Sequence, residues 1–114
     1  MTTWTKQHDI DLVVAYLGYE ITTPSPHGVQ YCLDGEGRHL RIPDMRDRTH
    51  GWLLDCLDSW VKVRPDDRWS RLASTNVQLY DLHYPAMPQG SGEGNNMHEA
   101  LAWALWRASF NHAQ

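Results

Sequence analysis

The stretch Asn95-Asn96-Met97-His98-Glu99-Ala100-Leu101-Ala102-Trp103-Ala104-Leu105-Trp106-Arg107-Ala108-Ser109-Phe110 decides the fold. Ala100 to Trp106 is an unbroken apolar run, and a helix that apolar is buried on nearly every side. A helix is predicted over Met97 to Asn111. Leu101, Ala104, Leu105 and Ala108 fit one face packed on a sheet. Trp103, Trp106 and Phe110 form a second stripe that needs its own cover. A second chain, in a homodimer or a tight partner interface, is the expected cover, and the alternative is the loop from Pro85 to Asn96 or the N-terminal arm with Trp4.

Working outward, Thr5 or Asp9 can cap a first helix over Gln7 to Leu17, with Gly18 placed to end it in the left-handed conformation. Tyr19 to Thr22 reads as extended, and Pro24-Ser25-Pro26 breaks it. Val29 to Leu33 and His39 to Ile42, around Asp34-Gly35-Glu36-Gly37, read as a hairpin. After Pro43, Asp44 or Thr49 can cap a second helix over Thr49 to Trp60, in which Trp52, Leu53, Cys56, Leu57 and Trp60 recur at helical spacing. Trp69 to Ala73 and Val77 to Tyr84 read as a second hairpin across Ser74-Thr75-Asn76, the later strand being long enough to lie centrally. Residues 85–96, with Pro85, Pro88, Gly90, Gly92 and Gly94, read as a flexible loop. Hairpins joined by tight turns imply an antiparallel sheet. The expected fold is therefore α+β: a four-stranded, mainly antiparallel sheet with three helices, in an α/β/α layered sandwich.

The chain has 114 residues and fits a single domain spanning 1–114. Ten basic against fourteen acidic residues give a formal charge of −4, which argues against binding of duplex DNA by phosphate neutralisation. Cys32 and Cys56 stand in apolar settings without metal-ligand spacing, as buried thiols of a reducing compartment would. There is neither a long apolar run nor a basic-then-apolar leader, so the expectation is a cytoplasmic protein with no membrane partner.

Catalytic patterns are sparse. Seven histidines show no H-x-H or H-E-x-x-H spacing, so neither a metal nor a cofactor is expected. Asp81 and His83 share a strand face by period two, where a carboxylate can orient an imidazole as general base; a solvated sheet edge is the plainer reading. Gly90-Ser91-Gly92-Glu93-Gly94 lacks the lysine of a phosphate loop and reads as a linker. Arg38, His39, Arg41, Arg46, Arg48 and His50 crowd one segment. Arginine forks match phosphates or carboxylates, and Trp52 or Tyr31 adds an aromatic surface. Arg41, Arg46, Arg48 and Trp52 are therefore the candidate partner- or ligand-binding residues, against a plain reading of Arg-Asp pairs across Asp44 and Asp47. Arg64, Arg68 and Arg71 read similarly, paired with Asp66 and Asp67.

Three groups of residues resemble the phage ABA-sandwich domain family: Asp11-Leu12-Val13-Val14-Ala15-Tyr16-Leu17-Gly18-Tyr19-Glu20-Ile21, the helix carrying Trp52 and Trp60, and Glu99-Ala100-Leu101-Ala102-Trp103-Ala104-Leu105. The resemblance implies an α/β/α fold in a phage or prophage setting and brings no catalytic residues. Small size, acidity with local arginines and an excess of tryptophan lead to one functional expectation. It is a non-enzymatic phage accessory protein that binds a host protein in the host cytoplasm, as an inhibitor of a defence system or host enzyme. The alternatives are a nucleotide-sequestering module and a small hydrolase built on Asp81 and His83.

Overall fold

The computed structural model describes residues 3–22, 26–47, 51–83 and 87–112, with side chains described up to residue 109. An extended Thr5 precedes α1 (Lys6–Leu12), and its N–H donates to His8 Nδ1 at 2.9 Å, one half of a capping box. The helix widens into a π-helical turn, Val13–Leu17, and stops at Gly18 with φ 69°. That turn is tied at two points. Tyr16 Oη donates to the Leu105 carbonyl, and the Tyr16 carbonyl accepts from Ser59 Oγ.

The strands β1 (Glu20–Ile21), β2 (Tyr31–Leu33) and β3 (His39–Arg41) form a first antiparallel sheet in that order. Its hairpin is set by Asp34, whose Oδ1 accepts the N–H groups of Glu36 and Arg38, and by Gly37 at φ 80°. Helix α2 (Trp52–Lys62) buries Leu53, Cys56 and Trp60 on one face. Its N-cap is Gly51; the expected cap Thr49 lies outside the described residues.

A second antiparallel sheet takes the order β4 (Arg68–Leu72), β5 (Asn76–Asp81), β6 (Gly90–Glu93), with β5 central as expected. Along β5, Val77, Leu79 and Asp81 are buried while Asn76, Gln78 and Tyr80 are not, so period two divides an inner face from an outer one. Helix α3 (Met97–His112) lies across the inner face. Ala100, Leu101, Ala104, Leu105 and Ala108 are all fully buried, and they join Leu12, Val13, Leu53, Trp60, Val77 and Leu79 in the core.

Three expectations are corrected. The strands do not join in one four-stranded sheet but in two three-stranded ones, because the short β1 closes on the first hairpin and the second hairpin gains β6 instead. The expected flexible loop 85–96 carries regular structure over its described residues 87–96: Gly90–Glu93 is β6, and Asn96 Oδ1 caps α3 by accepting the Glu99 N–H, while Pro85 and Ala86 lie outside the described residues. The glycines serve close approach. A Cβ on Gly90 would stand 2.0 Å from the Ala104 carbonyl oxygen, and one on Gly92 would stand 2.0 Å from that of Ala100. Nor does the layered sandwich close over both faces, since Trp69 on the outer face of the second sheet is 48% exposed and Arg71 beside it is exposed too.

Candidate functional site

The arginine segment does not assemble into one patch. Arg46 turns inward: its guanidinium carbon lies 5.6 Å from the centre of the Trp4 ring, and it reaches Asp44 at 3.7 Å and Glu99 at 3.8 Å. Trp52 opens α2 half-buried against the core, and Arg48 lies outside the described residues. Arg41 is left exposed on β3 without an ion pair or hydrogen bond among the described residues. With Lys6 it lines a hollow of about 780 Å³ that Gly28, Val29, Gln30, Ile42, Pro43 and Asp47 complete.

Two members of the α3 stripe, Trp103 and Trp106, pack against side chains at the start of the chain. Trp4 and His8 stack with ring centroids 5.0 Å apart, and both meet Trp103 edge-on at 5.0 and 4.9 Å. Trp106 packs on His8 at 4.6 Å and donates its indole N–H to Asp11. Asp9, buried beneath them, accepts the Trp4 indole N–H and the Met45 backbone N–H. The N-terminal arm with Trp4 thus packs over part of Trp103 and Trp106, both of which stay partly exposed. The Phe110 side chain lies outside the described residues.

Asp81 and His83 do not form a dyad. The Asp81 carboxylate is buried and accepts from Arg68 Nε at 2.9 Å and Arg64 Nη1 at 3.0 Å. Arg68 in turn donates to the Trp60 carbonyl and lies over the Trp60 ring. Burial pushes the Asp81 carboxyl up, but the Arg68 hydrogen bond, the His83 amide and the charges of Arg64 and Arg68 outweigh it and hold it below the ordinary carboxylate range. The exposed imidazole of His83 pairs with Asp67 at 2.9 Å. Arg64 and Arg68 therefore answer Asp81 rather than Asp66 and Asp67.

What remains open is the outer face of the second sheet. Trp69 sits directly opposite Tyr80, and Arg71 opposite Gln78. The two rings stack with centroids 5.5 Å apart and planes 16° from parallel. Tyr80 Oη donates to Gln78 Oε1 at 2.6 Å, which fixes the ring along the strand. The Arg71 guanidinium has no hydrogen bond or ion pair among the described residues, and it edges a hollow of about 250 Å³ with Ala73, Asn76 and Gln78. A rigid aromatic pair, an amide and an unpaired guanidinium thus share one flat surface. Aromatic rings give large contact area at little entropic cost, and a guanidinium grips carboxylates or carbonyls by two parallel bonds. Sequence reasoning placed these residues on strands without singling them out as a site. The signal was available: once Val77 and Leu79 are taken as inner residues, Gln78 and Tyr80 must face out, and the hairpin register brings Trp69 and Arg71 beside them.

No protein-family model matches this chain, and no curated protein or solved structure is significantly similar to it. Among the described residues no helix is long and apolar enough to cross a membrane.

Proposed function

We propose that the chain is a non-enzymatic binding protein whose outer sheet face, centred on Trp69, Arg71 and Tyr80, docks onto a protein partner. The observation that carries this reading is the stacked, half-exposed Trp69–Tyr80 pair beside a guanidinium that has no partner among the described residues, on a face that none of the described helices covers. Binding hot spots are enriched in these three residue types, and a central aromatic anchor removed by alanine costs about 2 kcal/mol or more, roughly thirtyfold in affinity. Nucleic acid is the weaker fit to this face, because tracking a phosphate backbone needs a row of cations and Arg71 is alone there. In a phage setting the partner is a host protein, and the role is that of an inhibitor of a host defence system or host enzyme. Affinity capture from host lysate with the wild-type chain, followed by calorimetry on the purified partner, tests the reading. Trp69→Ala and Arg71→Ala are expected to weaken binding, with Arg41→Ala unchanged. Full affinity in the Trp69→Ala, Tyr80→Ala double variant refutes it.

The hollow lined by Lys6 and Arg41 favours a second reading, a module that takes an anionic small ligand such as a nucleotide. Calorimetry against a nucleotide panel decides between them. Micromolar binding abolished by Arg41→Ala supports the ligand module.

A further inference from the structure

The two edges of the second sheet are finished differently. On β6 the outward carbonyl of Ser91 accepts a hydrogen bond from Arg107 Nη1 at 2.7 Å, so the helix side chain blunts that edge. On β4 the Arg68 N–H is taken by the Arg64 carbonyl at 3.0 Å, whereas the outward backbone groups of Ser70 and Leu72 meet no partner among the described residues. Ala73 N–H donates to the Asn76 carbonyl and Leu82 N–H to the Asp67 carbonyl, which fixes the phase of the ladder. Antiparallel bonds alternate, so Trp69 and Arg71 turn their backbone groups toward β5, whereas Ser70 and Leu72 turn theirs outward. The strand is straight in register across all five of its pairs, without bulge or proline, and Trp69 and Leu72 on it are 48% and 43% exposed.

We propose that β4 is the contact edge of a homodimer, two copies pairing antiparallel about a two-fold axis at Ser70 to join their second sheets into one six-stranded sheet. The sequence Arg68-Trp69-Ser70-Arg71-Leu72 is self-complementary in that register. Ser70 meets Ser70 of the other copy as a hydrogen-bonded pair, and the Leu72 N–H meets the carbonyl of Arg68. Trp69 then faces Arg71 of the other copy in the closer, non-hydrogen-bonded position. The guanidinium, which has no partner among the described residues, thereby gains an indole to lie on, twice by symmetry. The outer faces become continuous across the axis, with two Trp69–Tyr80 pairs side by side. This goes beyond the partner-binding reading and stands without it, because its readout is the oligomeric state of the chain alone.

Sedimentation velocity of the full chain over a concentration series, joined to cysteine cross-linking, tests the register. In a hydrogen-bonded antiparallel pair the Cα atoms lie about 5.5 Å apart, within disulfide range, whereas Leu72 and its mate are offset by four residues, roughly 13 Å. Ser70→Cys is therefore expected to form a disulfide-linked dimer under mild oxidation and Leu72→Cys to remain monomeric. The native thiols stay out of the reaction, Cys32 and Cys56 both being fully buried. Arg71→Glu in the Ser70→Cys background slows cross-linking about tenfold by removing both Trp–Arg contacts. Wild-type protein that sediments as a monomer at every concentration overturns the proposal, as does cross-linking that is absent from Ser70→Cys or equal in Ser70→Cys and Leu72→Cys.

Discussion

Replacing Gly92 by alanine separates two descriptions of the glycine-rich segment by the size of the effect. In a flexible linker the change restricts the folded and unfolded chains alike and leaves stability near wild type. In β6 the new Cβ would stand 2.0 Å from the Ala100 carbonyl oxygen, 2.5 Å from the Ala104 nitrogen and 2.9 Å from the Trp103 Cβ. Two of those three atoms are helix backbone and have no rotamer to escape into. Helix α3 must therefore back away from the sheet by more than 1 Å, although the Tyr16–Leu105 hydrogen bond anchors its other side. Overpacking of a core typically costs 1–3 kcal/mol, and an immovable obstacle puts this case at the upper end, about 3 kcal/mol. Against a total stability of about 5–15 kcal/mol this lowers the melting temperature by roughly 10–15 °C. Denaturant titration followed by far-UV circular dichroism measures it. Gly35→Ala, with nothing within 4 Å of its new methyl, serves as the control and stays near wild type. A Gly92→Ala variant within about 1 kcal/mol of wild type, or above it, refutes the seat beneath α3.

Three further outcomes follow from the buried polar groups. Asp81→Asn leaves Arg68 buried without its counter-charge and costs about 3 kcal/mol in denaturant titration at neutral pH. Because the folded Asp81 carboxyl lies below its ordinary range, its contribution is present above that range and lost as pH falls through the lowered value, so the gap between wild type and variant narrows in acid. Asp9→Ala strands the Trp4 indole and the Met45 amide, destabilises the fold by about 2–4 kcal/mol, and red-shifts tryptophan emission as the arm loosens from Trp103. Burial, with the Asp55 charge beside it, pushes the Cys56 thiol up to about 12, so native protein at mildly alkaline pH labels slowly with a disulfide reagent and promptly once unfolded.

Helix α2 and the second hairpin were legible because their signals are local. Trp52, Leu53, Cys56 and Trp60 spell a helical face within one element, and Val77-Gln78-Leu79-Tyr80 spells a two-faced strand. The glycine strand was misread because glycine's local preference is for loops, whereas its purpose here lies in another element. Gly90 and Gly92 repeat every two strand residues, about 6.6 Å, and Ala100, Ala104 and Ala108 every four helix residues, about 6 Å, so the two small-residue series mesh. The cover for Trp103 and Trp106 comes from Trp4 and His8 at the far end of the chain, a contact that no local pattern names. Adjacency along the chain misled in the arginine segment, where Arg41 faces out while Arg46 folds back onto Trp4 and Glu99.

The most direct measurement of the binding face is a nuclear magnetic resonance titration of isotope-labelled chain with the captured partner. The expected result is a shift of the Trp69 indole resonance together with the amides of Arg71, Gln78 and Tyr80, while Lys6 and Arg41 stay still. Shifts confined to Lys6, Arg41 and the residues of their hollow, with the Trp69 indole unmoved, contradict the assignment of the outer face.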